Sequence, residues 1–193
     1  MPRSKAKLIP GFYYHIYNRA VDGCRLFKEK RNYEFFLSKI KKYLIPVSEV
    51  LAYCLMPNHY HLLVKIREDD FSNSMHKLAL SYVVSFNNTY QRKGHLFQGS
   101  FQRILVKDYN YLLTLSHYIH CNPVNGKLVC EFSNWAFSSV NEYIGQRSID
   151  FIKPTIILDL VCDDISSSLA EQQHAYHQSL LSWQKENLIK KRD

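Results

Sequence analysis

Hydrophobic and polar positions follow two periods along this chain, and together they predict an alternation of strands and helices. Short apolar or aromatic runs typical of strands occupy residues 12–18, 49–55, 59–66 and 101–106. Apolar residues recur at helical spacing over residues 32–44, 72–87 and 108–121. The Met56-Pro57-Asn58 turn predicts a β-hairpin between the second and third strands. Asn122-Pro123 is expected to end the third helix.

The order β-α-β-β-α-β, followed by a further helix, predicts an α+β protein with a ferredoxin-like antiparallel sheet and helices on one face. Residues 165–189 are predicted to form a polar C-terminal helix or helix pair. Pro154 marks a soft boundary, so we expect a catalytic domain over residues 1–150 and a C-terminal helical extension over residues 151–193. Because this fold hosts many functions, it does not by itself select one.

Composition excludes several classes of protein. The chain has 193 residues, of which 46% are hydrophobic, so it is not a disordered chain. It has no apolar run of membrane-spanning length and its N-terminus lacks a signal-peptide core, so a cytoplasmic location without membrane contact is expected. The five cysteines are scattered without a Cys-x-x-Cys pair, which argues against a disulfide framework and a zinc knuckle.

The charge distribution indicates a polyanionic partner. Residues 1–130 contain 19 lysines and arginines against 8 aspartates and glutamates, whereas residues 131–193 carry a net charge of −3. Residues 1–9 are predicted to form a basic arm. Many of the 14 tyrosines and 11 phenylalanines stand beside basic residues, a combination that suits single-stranded nucleic acid. Basic small proteins with aromatic cores are a competing interpretation.

His59-Tyr60-His61 begins the second strand of the hairpin. Side chains alternate along a strand, so the two histidines are predicted to share one face while Tyr60 points to the other. Two imidazoles on one face can bind a divalent metal. The alternative is a pair of structural histidines at the rim of the sheet.

Tyr118 and Asn122 are four residues apart and are expected to face the same way on the third helix. An amide oxygen suits Mg²⁺ or Mn²⁺, and a phenol beside a metal can act as a nucleophile. Spacing alone does not separate Tyr118 from the nearby Tyr109 and Tyr111. His117 and His120 flank Tyr118 but point elsewhere, and no general base is identified.

Other basic and polar residues are candidates for nucleic-acid contact: Arg19, Arg92, Lys93, His95, Gln98 and Arg103. The remaining histidines have no partner at ligand spacing and are predicted to be structural: His15, His76, His174 and His177.

Three blocks together resemble one family. They are Met56-Pro57-Asn58-His59-Tyr60-His61-Leu62-Leu63, Gly94-His95-Leu96-Phe97-Gln98-Gly99 and Tyr118-Ile119-His120-Cys121-Asn122-Pro123-Val124. The chain is thereby similar to single-tyrosine HUH transposases, in particular to the branch of REP-associated tyrosine transposases. Ser100 stands where many relatives carry Arg.

The resemblance implies metal-dependent cleavage of single-stranded or hairpin DNA and rejoining through a 5′-phosphotyrosine bond. It implies His59 and His61 as ligands of Mg²⁺ or Mn²⁺, Asn122 as a third ligand and Tyr118 as the nucleophile. Two alternatives are a relaxase or replication-initiator nickase and a non-catalytic DNA-binding protein derived from a transposase. Relatives include monomers and homodimers, so the oligomeric state stays open.

Overall fold

A four-stranded antiparallel sheet forms the centre of the molecule. The computed structural model describes residues 7–162 and 166–189. The strands are β1 (Tyr13–Arg19), β2 (Ser48–Met56), β3 (His59–Ile66) and β4 (Gln102–Val106), and they lie in the order β2-β3-β1-β4. Each neighbouring pair is antiparallel. The predicted α+β fold with an antiparallel sheet is confirmed.

Helices α1 (Lys30–Tyr43) and α2 (Phe71–Thr89) cover one face of this sheet. Their apolar stripes turn inward, so Phe36 of α1 and Tyr82 of α2 are almost fully buried. The Phe36 ring lies 5.1 Å from the ring of Tyr60, which is therefore the strand residue on this face. Since neighbours in a strand point to opposite faces, His59 and His61 lie on the other face of the sheet.

Helix α3 (Tyr109–Asn125) packs on that second face. It begins at Asp108, whose carboxylate accepts a hydrogen bond from the backbone N–H of Tyr111. The prediction that Asn122-Pro123 ends the helix was wrong, because the helix continues through Pro123 to Asn125. A proline in the last turn removes only one intrahelical bond, and the helix closes just beyond it, where Leu128 N–H donates to the Pro123 carbonyl. Asn122 is consequently fully helical.

The chain after α3 covers the outer edge of β2 and then returns to α3. It contains α4 (Val140–Tyr143), α5 (Thr155–Leu158) and α6 (Leu169–Ile189). The backbone N–H of Leu55 donates to the Phe137 carbonyl at 2.9 Å, so this segment adds hydrogen bonds to an edge that would otherwise be open. Tyr176 and Leu180 of α6 are fully buried in the common core.

Two sequence predictions touch residues that lie outside the described ranges. These are residues 1–6 of the predicted basic arm and residue 165, the expected start of the C-terminal helix. Over residues 166–189 the chain contains a single helix, α6. None of the described helices is both long enough and apolar enough to cross a membrane.

Candidate active site

His59 and His61 share one face of β3, as the strand alternation predicts. Their ring centroids are 5.0 Å apart and their planes are nearly perpendicular. His59 follows the hairpin turn, and its Nδ1 lies 2.7 Å from Oδ1 of Asn58, the residue before it. That oxygen can only accept, so Nδ1 of His59 carries the proton and Nε2 carries the lone pair.

Helix α3 places Tyr118 and Asn122 over these histidines. The Tyr118 ring stands edge-on to the His61 ring, with 5.5 Å between centroids. The amide nitrogen of Asn122 donates to the carbonyl of Tyr118 at 2.8 Å, so its Oδ1 is left for other contacts. Asn122 lies close enough to His59 to affect its pKa. The fold thus brings together all four residues singled out in the sequence.

The structure also separates Tyr118 from its two competitors on α3. Tyr109 is 62% exposed and lies in the first turn of the helix. Tyr111 lines the same cleft as Tyr118. Tyr118 is the one of the three with ring contacts to His61 and His15, and at 38% exposure its ring is still open to solvent.

His15 belongs to this cluster, although the sequence showed no partner for it at ligand spacing and it was predicted to be structural. Its Nε2 lies 2.8 Å from Nδ1 of His61, and the two rings stack at 5.0 Å. The pairing of β1 with β3 sets Tyr17 opposite His61, so His15 is a diagonal neighbour two positions away. The strand register creates this contact between residues 46 positions apart, and spacing in the sequence carries no signal of it.

The three clustered histidines are all held in the neutral form. Burial lowers the pKa of His15 to about 4. Burial, followed by the neighbouring His15 and His59, lowers the pKa of His61 to about 2. Burial and the charge of Arg19 lower the pKa of His59, against a smaller opposing effect of the Asn122 side chain. Neutral imidazole is the form that binds metals, so these lone pairs are available at neutral pH.

The predicted metal ligands fit a divalent cation by their chemistry. Two neutral imidazole nitrogens, Nε2 of His59 and Nε2 of His61, are accompanied by the amide oxygen of Asn122. Among residues 7–162 and 166–189 no group of three or more His, Cys, Asp or Glu side chains could hold a metal ion. The candidate set therefore depends on an amide oxygen as its third donor.

An open cleft of about 480 Å³ adjoins the cluster. His15, His61 and Tyr118 line this cleft together with Trp183 of α6. The C-terminal extension thus contributes a side chain to the candidate site, which the division at residue 150 did not anticipate. Aromatic rings that line an open cleft offer a stacking surface for a base.

The six candidate DNA-contact residues do not all lie on the face of the sheet that carries this cleft. Arg19 ends β1 directly opposite His59, so it lies at the site. Arg103 pairs with Ile16 in the β1–β4 register and faces α2, across the sheet from His61. The side chain of Arg92 donates to the carbonyls of Gly94 and His95, so it braces the loop. Exposed side chains on or beside that loop are Lys93, His95 and Gln98.

Comparison with known proteins gives a consistent result. Residues 11–122 match the family model described as IS200-like transposase. A Haemophilus influenzae protein assigned as a REP-associated tyrosine transposase is 28% identical over 105 residues, covering 47% of this chain and 58% of that protein. The chain thus matches little more than half the length of this relative.

A solved structure of a REP-associated tyrosine transposase bound to a REP hairpin superimposes with a TM-score of 0.65 and 17% identity. The alignment covers 79% of this chain and 98% of that one. At this identity the similarity concerns the fold alone.

Proposed function

The chain belongs to the IS200-like transposase family, and on that premise we propose that it cleaves and rejoins single-stranded or hairpin DNA through a 5′-phosphotyrosine intermediate. The observation that carries the proposal is the position of Tyr118. Its ring lies against His61 on the open side of a cluster of neutral imidazoles. A nucleophile beside a metal-ligand set is the arrangement that phosphoryl transfer to a side chain requires.

The residues of the cluster divide the chemistry between them. His59, His61 and Asn122 would hold Mg²⁺ or Mn²⁺, which when bound supplies polarisation of the scissile phosphate. The Tyr118 oxygen forms a bond to phosphorus while the bond from phosphorus to the 3′ oxygen breaks. The phenol proton passes to solvent, since Tyr118 is partly exposed, and the departing 3′ oxygen takes up a proton. The 5′ end remains on Tyr118.

Rejoining is the same exchange in reverse. A 3′-hydroxyl from another strand attacks the phosphotyrosine, which restores a phosphodiester and frees the phenol. One ester bond is made for each one broken, so no nucleotide triphosphate is needed. This separates strand transfer from simple hydrolysis, in which water would take the place of the phenol.

DNA binding is proposed to depend on the basic and aromatic surface rather than on the metal. The related structure is bound to a REP hairpin, and residues 1–130 of this chain carry the whole positive surplus. Arg19, which lies opposite His59 in the sheet, is the first candidate for phosphate contact. Lys93, His95 and Gln98 on or beside the loop follow, and then Arg103. Binding should weaken with salt and should favour a hairpin with single-stranded flanks over a matched duplex.

The experiment incubates the full chain with Mn²⁺ and a labelled library of hairpins with randomised single-stranded flanks. It follows both the cut strand and the shifted protein–DNA adduct. Tyr118→Phe removes one oxygen and should lower both signals by at least about a thousandfold, because the nucleophile is gone. Tyr111→Phe removes the same group from the same cleft and should keep both.

Four results would each overturn the proposal. An adduct in Tyr118→Phe would identify another tyrosine as the nucleophile. Cutting without an adduct would indicate hydrolysis. Hairpin binding by the wild-type chain with neither product would identify a DNA-binding protein without catalysis, and an adduct that never rejoins to a supplied 3′-hydroxyl would favour a nickase.

A further inference from the structure

His15 shares a hydrogen bond with His61 that determines which nitrogen of His61 is available. The distance between Nε2 of His15 and Nδ1 of His61 is 2.8 Å, and both side chains are 6% exposed. A bond this short between two neutral imidazoles requires one proton on one of the two nitrogens. The two possible positions of that proton have opposite consequences for His61.

If the proton is on Nδ1 of His61, then Nε2 of His61 has a lone pair. If it is on Nε2 of His15, then neutral His61 must carry its own proton on Nε2, and that nitrogen cannot be a ligand. Nε2 of His61 has no hydrogen-bond partner among residues 7–162 and 166–189, so nothing else in that part of the chain selects its state. His15 is the residue that contacts Nδ1 of His61, and the protonation of Nδ1 determines whether Nε2 has a lone pair.

We propose that His15 is a positioning residue, which accepts the Nδ1 proton of His61 and so presents the Nε2 lone pair of His61 to the metal. The inference rests on the metal role of His61 in the proposed function. His59 is held in the corresponding way, since its Nδ1 faces Oδ1 of Asn58. Both ligands then have a protein acceptor on Nδ1, one from the hairpin turn and one from the neighbouring strand.

Orientation by a hydrogen-bond acceptor is how ligating histidines are generally tuned, and loss of such an acceptor costs about 10–100-fold in metal affinity. The stacked geometry of the two rings adds a steric restraint on the rotation of His61. A residue that is only structural would stabilise the fold without selecting a tautomer. The two roles are therefore separable by measurement.

The first measurement uses the metal-free wild-type protein. Long-range nitrogen–proton NMR correlations of the imidazole rings report which nitrogen carries the proton. We expect His61 to carry it on Nδ1 and His15 to carry it on its own Nδ1. A His61 ring protonated on Nε2 would overturn the proposal without any variant having to fold.

The second measurement is the affinity for Mn²⁺ in the absence of DNA, by calorimetry. His15→Phe keeps a buried ring without an acceptor and should weaken binding about 10–100-fold, whereas His15→Gln keeps an acceptor oxygen and should recover part of the loss. Wild-type Mn²⁺ affinity in His15→Phe would overturn the proposal. So would an equal loss of Mn²⁺ affinity in both variants that is proportional to their loss of folding stability. Loss of Mn²⁺ binding in His61→Ala alone would refute only the role of His15, and no loss in His61→Ala would refute the metal site itself.

Discussion

The histidines at the candidate site and His120 of helix α3 all have lowered pKa values, but they differ in hydrogen bonding. At the candidate site, His59 and His61 each have Nδ1 engaged by a neighbouring side chain, which leaves Nε2 as the nitrogen that could bind a ligand. In the core, His120 has both nitrogens engaged, Nδ1 by the Tyr176 hydroxyl at 2.7 Å and Nε2 by Ser139 Oγ at 2.8 Å. Burial is the largest cause of the lowered pKa in each case.

The difference shows that burial and neutrality do not by themselves make a histidine functional. His120 joins α3 to α6 through Tyr176, which also hydrogen bonds with Ser116 at 2.9 Å. His120 is connected to β2 through Ser139, whose Oγ accepts a hydrogen bond from the backbone N–H of Tyr53. These contacts fix the helix that carries Tyr118. His59 and His61, in contrast, each keep an Nε2 lone pair that can bind a metal ion, which is what the proposed chemistry requires.

The largest effect that this comparison predicts is on the histidines at the candidate site. His59→Ala or His61→Ala should lower cleavage by about a thousandfold or more, because a metal contributes several kcal/mol to such reactions. Mn²⁺ binding should be lost, whereas hairpin binding should change by less than about threefold since it depends on phosphate contacts. On the same preparations, calorimetry measures Mn²⁺ affinity, a cleavage assay measures the rate of cutting, and filter binding measures hairpin affinity. Parallel loss of hairpin binding in a folded variant would break the division.

A smaller effect, of a different kind, is expected for the core. His120→Ala leaves the hydroxyls of Tyr176 and Ser139 without this partner, so the free energy of unfolding should fall by about 2–4 kcal/mol. Mn²⁺ affinity of the folded fraction should stay at the wild-type value. Denaturant titration gives the first quantity and calorimetry the second. If His120→Ala were as stable as the wild type, the hydrogen bonds of His120 would not be what holds α3 against α6 and β2.

The same network predicts a direction for pH. Burial holds the pKa of His120 well below its usual value of 6.5, so the unfolded chain takes up a proton that the folded chain does not. The stability that follows from this difference is present above pH 6.5 and falls as the pH is lowered below it. The loss on acidification should be smaller in His120→Ala than in the wild type.

The sequence was sufficient for elements that depend on local pattern. The period of two in β3 placed His59 and His61 on one face, and the i, i+4 spacing on α3 aligned Tyr118 with Asn122. It was insufficient wherever two distant strands or helices had to be paired. The contact of His15 with His61 depends on the β1–β3 register, and the network around Tyr176 depends on how α6 packs. Arg92 could not be distinguished from a DNA-contact residue until its carbonyl partners were known.

The smallest predicted effect concerns His117, a third kind of histidine that tests the comparison most finely. Its side chain is buried against the rings of Tyr176 and Trp183, and burial lowers its pKa to about 4. Unlike the nitrogens of His120, its buried Nε2 has no hydrogen-bond partner among the described residues.

His117→Phe keeps a ring at this position and removes a polar atom that is buried without a partner. Burying such an atom costs about 1–3 kcal/mol, so removing it should stabilise the folded state. The larger phenyl ring introduces packing strain that offsets part of this stabilisation. The free energy of unfolding should therefore be unchanged or higher by up to about 1 kcal/mol. His120→Phe, one turn along the same helix, should instead lower it by about 2 kcal/mol or more, because it removes two satisfied hydrogen bonds. Denaturant titration of the two variants side by side measures the contrast. A loss in His117→Phe as large as that in His120→Phe would mean that ring packing, and not the state of the nitrogens, separates the histidines of this fold.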